Sequence, residues 1–84
     1  MNNEAWILLD GQVFSDGTTI DLYYESKSRY IVLRGEGAAT RRAGKQEVHV
    51  TCNAAIGAYL YAISNRHRSL ALERIGMRLS EVGK

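Results

Sequence analysis

Proline is absent from the 84 residues, and cysteine occurs once. Without proline nothing marks a rigid linker or a Pro-rich ligand segment. A lone cysteine excludes an internal disulfide framework and fits a reducing compartment. Phenylalanine and tryptophan also occur once each. No apolar run approaches the roughly 20 residues of a membrane span. The start Met1-Asn2-Asn3-Glu4 lacks the basic region of a signal peptide, and Trp6–Leu9 is too short for its apolar core. The expected chain is therefore soluble, cytoplasmic and independent of membranes.

The most telling shortage is of basic residues in the first third. Residues 1–26 carry Glu4, Asp10, Asp16, Asp21 and Glu25 and no Lys or Arg, a net charge of −5. Residues 27–84 carry eleven Lys and Arg against Glu36, Glu47, Glu73 and Glu81, a net charge of +7, and the two sum to the +2 of the whole. Charge sorted in this way governs solubility, steering and partner choice rather than fold. It points to a protein that meets something charged.

What remains is an ordinary globular composition, 45% apolar. The length suits one domain over residues 1–84. Such a chain buries roughly 60–65% of its unfolded surface, so the core is small. A homodimer is expected, because pairing would add the buried area that a thin core lacks.

The first half has strand composition. Ala5–Leu9, Gln12–Phe14, Ile20–Glu25, Tyr30–Arg34 and Glu47–Thr51 are rich in β-branched and aromatic residues. Asp10-Gly11 and Asp16-Gly17 read as hairpin turns, since Asp and Gly tolerate positive φ. Ser26-Lys27-Ser28 reads as a short polar joint. In Ile20-Asp21-Leu22-Tyr23 the alternation puts Ile20 and Leu22 on one face and Asp21 and Tyr23 on the other. Gly35–Lys45, with three glycines and no large apolar side chain, reads as a loop.

From residue 53 the period becomes helical, with Thr51 or Asn53 as the cap. Ile56, Leu60 and Ile63 make one stripe; Leu72, Ile75, Leu79 and Val82 make a second, about 120° around from the first. Ser64–Ser69 falls between them as a turn, with Ser69 as the second N-cap. The expected fold is α+β: an antiparallel sheet of three to five strands over residues 5–51, then two helices, or one kinked helix, over 53–82, packed on the sheet.

The arginines are the leading candidates for function. Arg66, Arg68, Arg74 and Arg78 surround the second helix, and Arg41, Arg42 and Lys45 lie in the glycine-rich loop. Arg74 and Arg78 are four apart and project from one helix face. Guanidinium forks suit phosphates and carboxylates alike. This basic face is the expected macromolecule-binding surface. A solvated face pairing with the chain's own acidic strands is the plain alternative. Asp16, Asp21 and Glu25 would form a second, acidic surface. Tyr59 and Tyr61, two apart on a helix, cannot both face the core, so one is expected at an interface.

Other chemistry finds little support. Gly35–Lys45 departs from a phosphate loop: six residues intervene between Gly37 and Gly44-Lys45 and Gln46 follows, where the motif needs four intervening residues and then Ser or Thr. His49, Cys52 and His67 are three candidate metal ligands where a structural zinc site needs four. Only His49 is at hand to activate Cys52 as a nucleophile. Asp10 and Asp16 sit beside glycines, where Asp makes local backbone bonds. No catalytic residue, cofactor or metal is expected.

Glu47–Thr51 as a strand, Ile56, Leu60, Ile63 and His67 as a helix core, Ser64–Ser69 as a turn, and Ile75 with Leu79 as a second helix core are similar in spacing to the ribbon-helix-helix DNA-binding family. The similarity covers residues 47–83. It implies two chains pairing their strands, with Glu47, His49 and Thr51 turned to the major groove of DNA.

The function expected first is a non-enzymatic protein-interaction module that modulates or inhibits a larger protein or nucleoprotein complex. Accessory proteins of phages and mobile elements, including inhibitors of host defence, share this size and charge. A dimeric DNA-binding regulator with a ribbon-helix-helix-like second half is the alternative.

Overall fold

The structure, a computed structural model, describes residues 6–36, 45–63 and 67–82. Four strands precede two helices: β1 (Ile7–Val13), β2 (Thr18–Ser26), β3 (Arg29–Glu36), β4 (Lys45–His49), α1 (Cys52–Ala62) and α2 (Arg68–Val82). The strands form one antiparallel meander in the order β1-β2-β3-β4. Both helices lie on the sheet, α1 over β2, β3 and β4 and α2 over β1. The α+β expectation therefore holds, with two helices.

Asp16-Gly17 makes the first turn as its residues dictate. Gly17 has φ +90°, in the left-handed region open to glycine. The backbone N–H of Phe14 donates to the Thr18 carbonyl at 2.8 Å. The Asp16 carboxylate accepts from the Thr18 N–H at 2.9 Å. That backbone bond, followed by the Thr18 hydroxyl, lowers the Asp16 pKa below its ordinary value.

Asp10-Gly11, by contrast, is not a turn. The two expected strands Ala5–Leu9 and Gln12–Phe14 are one strand, β1, which runs through both residues. The register against β2 shifts between Leu8↔Tyr23 and Asp10↔Leu22, so one extra residue is accommodated there. This bulge leaves Leu9 buried in the core and brings Asp10 to both helices. Gly11 pairs with Asp21, and a Cβ at Gly11 would collide with the Asp21 carboxylate. Glycine is here for close approach within the sheet, not for a bend.

The glycine-rich loop is also shorter than its composition implies at its two ends. Gly35 and Glu36 belong to β3, with Gly35 opposite Thr19, and Lys45 opens β4. Residues 37–44 lie outside the described residues. β4 ends at His49, so Val50 and Thr51 are not strand.

α1 starts where Thr51 caps it: extended at φ −123°, it accepts the Ala54 N–H on its hydroxyl at 3.2 Å. Asn53 is already helical. α2 begins at Arg68, so Ser69 is inside the helix and not its cap. The rest of the expected turn, 64–66, lies outside the described residues.

The core joins Leu9, Ile20, Leu22, Tyr30 and Val32 of the sheet to Ala55, Tyr59 and Ile63 of the first helical segment and Ala71 and Ile75 of α2. Burying each large side chain contributes roughly 1.5–3 kcal/mol. Both helices are rotated from their expected stripes. Ala55 and Tyr59 are buried where Ile56 and Leu60 are half-buried, and Ala71 is buried where Leu72 is exposed. Alanine lets each helix backbone approach the sheet closely, which a row of Leu and Ile would hold off.

Candidate functional site

The two helices are tied to β1 by one polar cluster. Asp10 is buried, its side chain 5% exposed, while that of Arg74 is 44% exposed. The Asp10 carboxylate accepts the Tyr59 hydroxyl at 2.6 Å and the Arg74 Nε–H at 2.6 Å. A second guanidinium N–H, on Nη2, reaches the carboxylate at 3.2 Å. One acid thus gathers a phenol from α1 and a cation from α2, and the geometry satisfies a charge that would otherwise be costly to bury.

A groove of about 430 Å³ opens beside it, lined by residues that include Leu8, Gly11, Met77, Arg78 and Glu81. The cluster is poorly suited to catalysis. The carboxylate is committed to three donors, and the phenol is held protonated. Burial first, then the hydrogen bond to Asp10 and its negative charge, raise the Tyr59 pKa far above the ordinary 10.0, against opposing contributions from Gln12 and Arg74. A proton acceptor needs a free lone pair in reach of substrate.

This phenol makes stability depend on pH at the alkaline end. Its pKa is raised on folding, so its contribution is complete below about pH 10 and is lost as pH rises above that, where only the unfolded chain ionises. Tyr30, raised by burial and then by Cys52, acts in the same direction. Urea titrations from neutral pH to above pH 10 should show falling stability. Tyr59→Phe should flatten the decline while costing about 1–2 kcal/mol at neutral pH, because Asp10 loses a donor.

Among the described residues the expected basic side chains do not form one surface. Arg74 is taken up by Asp10. Arg68 donates its Nε–H to the Leu60 carbonyl at 2.7 Å, satisfying the C-terminal turn of α1. Arg78 is exposed on the flank of α2. Arg41, Arg42 and Arg66 lie outside the described residues. The expectation that Arg74 belongs to a partner-binding basic face is therefore corrected: its charge holds a buried acid.

The acidic residues are likewise dispersed. Asp21 is buried. Asp16 is spent on its own turn. Glu25 accepts the Arg29 Nε–H at 2.8 Å and the Trp6 indole N–H at 3.0 Å. Asp16, Asp21 and Glu25 thus do not make the expected acidic surface.

A basic site that the spacing alone does not reveal lies at the other end of the sheet. Arg34 of β3 and Lys45 of β4 are direct cross-strand partners. Like charges placed opposite each other weaken a strand pair. Both side chains are exposed, and among the described residues neither makes a hydrogen bond or ion pair. They line an open groove of about 530 Å³ between the sheet and α1, together with Glu47, Ala58 and Tyr61. Tyr61 is 86% exposed, whereas Tyr59 is fully buried, which settles which tyrosine faces the core. Lys45 was legible as a candidate; Arg34 was not, because only the register of β3 with β4 brings it there.

β4, α1 and α2 follow one another in the ribbon-helix-helix order, but His67 lies beyond α1, Ser69 is inside α2 and the strand is differently placed. β4 is bonded to β3 along its length, and Glu47 and His49 stand opposite Val32 and Tyr30, on the helix-covered side of the sheet. Glu47 lines the groove against α1. Among the described residues no group of three or more His, Cys, Asp or Glu is arranged to hold a metal, and no helix is long and apolar enough to cross a membrane. Set against protein-family profiles, curated proteins and solved structures, the chain gives no match.

Proposed function

We propose that this protein is a non-enzymatic interaction module that modulates or inhibits a larger protein or nucleoprotein complex by binding an acidic protein surface. The observation that carries this reading is a pair of cations, Arg34 and Lys45, without an ion-pair partner among the described residues and held face to face beside an exposed Tyr61 at an open groove. A cross-strand repulsion is a local cost to folding that an incoming carboxylate relieves. An exposed tyrosine supplies contact area at little entropic cost, and Tyr and Arg are enriched where interfaces concentrate their energy. A protein partner is favoured over a nucleic-acid backbone because Arg29, Arg68 and Arg74 are engaged internally and are not available for a long row of phosphate contacts. An inhibitor of a host complex encoded by a phage or mobile element fits this small, charged architecture.

The test uses a fluorescent oligoglutamate peptide and, in parallel, a DNA duplex. Arg34→Glu with Lys45→Glu should weaken peptide binding by about tenfold or more, as expected when close charge pairs of at least about 1.4 kcal/mol are lost. The variant keeps a like-charged pair at the same exposed register, so the fold should tolerate it as it tolerates the two cations. Arg78→Glu should leave binding unchanged. Tighter binding of the duplex than of the peptide, with a steep salt dependence, would replace this reading by a nucleic-acid one.

A further inference from the structure

We infer that the outer edge of β4 is an interface for a second copy of this chain, paired antiparallel about a two-fold axis at Val48. Among the described residues the sheet order leaves two edges, β1 and β4. Proteins guard edge strands with bulges, glycine, proline or inward charges. The β1 edge is guarded in this way, by the bulge between Leu8 and Asp10 and by Gly11. β4 carries the charged Lys45 and Glu47 on the helix-covered side, but it has no bulge, glycine or proline and pairs regularly with β3 from Lys45 to His49. It also exposes Val48 at 44% and, directly beyond it, Val50 at 69%.

Charge selects the partner and the register. About an axis at Val48, Glu47 of each copy stands opposite His49 of the other, so a carboxylate meets an imidazole donor twice. Within one chain these two groups already meet at 3.2 Å. Val48 then stands opposite Val48, and Gln46 opposite Val50. Moving the axis to residue 47 would oppose two Glu47 carboxylates, and moving it to residue 49 would oppose two imidazoles; like pairs directly opposite are unfavourable. A slip that changes the parity of the pairing would set the helix-covered side of one sheet against the opposite side of the other. The favoured register extends the sheet to eight strands, with both pairs of helices on one side. It does not depend on the acidic partner proposed above.

Cysteine scanning in a Cys52→Ala background tests it. Facing residues of an antiparallel pair have Cα atoms about 4.5–5.5 Å apart, within the range a disulfide spans. Val48→Cys should therefore crosslink to a dimer under mild oxidation, and faster than Glu47→Cys or His49→Cys. In the otherwise unaltered protein, Val48→Lys should raise the dimer dissociation constant by about tenfold or more, measured by sedimentation, by setting two ammonium groups opposite each other. A chain that sediments as a monomer at high micromolar concentration overturns the proposal. So does a dimer that Val48→Lys leaves intact, or one that crosslinks faster through residue 47 or 49.

Discussion

Arg74→Glu should destabilise the fold by about 3–5 kcal/mol, the range for stranding one member of a buried pair. The variant sets a carboxylate against Asp10, whose side chain is 5% exposed and which α1 and α2 both engage. A chain of 84 residues has of order 4–13 kcal/mol in all, at about 0.05–0.15 kcal/mol per residue, so much of the protein would unfold. Arg78→Glu, four residues along, should change stability by less than about 0.5 kcal/mol, since among the described residues that side chain bonds to nothing. Chemical denaturation of the two single variants reads the contrast directly. Replacing the whole cluster by apolar groups, Asp10→Leu, Tyr59→Phe and Arg74→Met together, should cost less than Arg74→Glu alone. No charge is then left buried without a partner.

Ile75→Ala should cost about 2–5 kcal/mol and Leu72→Ala less than about 1 kcal/mol, although both belong to one apolar stripe in the sequence. Ile75 is buried against the sheet beside Ala71, and Leu72 is half-exposed on the outside of α2. The deletion at 75 leaves a cavity that a helix anchored through Asp10 cannot fully close; at 72 only partly hydrated surface is lost. Equal midpoints for the two variants in urea would mean that α2 is rotated from the orientation described.

These contrasts show where the sequence speaks and where it is silent. β2 and the Asp16-Gly17 turn are legible because alternation and a positive-φ glycine act within a few residues. The break from strand to helix after Val50 is legible for the same reason. The Asp10-Gly11 turn was misread because a local turn signal and a bulge use the same residues. Only the pairing of Gly11 with Asp21, and of Asp10 with side chains 49 and 64 residues away, tells them apart. The helix faces were misjudged by about one residue because hydrophobicity ranks Leu72 and Ile56 above Ala71 and Ala55, whereas close packing favours the small residue. The site was half legible: Lys45 and an exposed tyrosine could be nominated, but Arg34 joins them only through strand register. The basic face around Arg74 looked functional because a sequence does not show which arginine has found an acid.

Mapping an oligoglutamate peptide by nuclear magnetic resonance on the isotope-labelled protein tests the central claim most directly. Backbone shifts should concentrate at the end of β3, at Lys45–Glu47 and in the last turn of α1 around Tyr61, and should vanish in Arg34→Glu/Lys45→Glu. Shifts centred instead on α2 around Arg74 and Arg78, or none at a peptide excess over the protein, would contradict it.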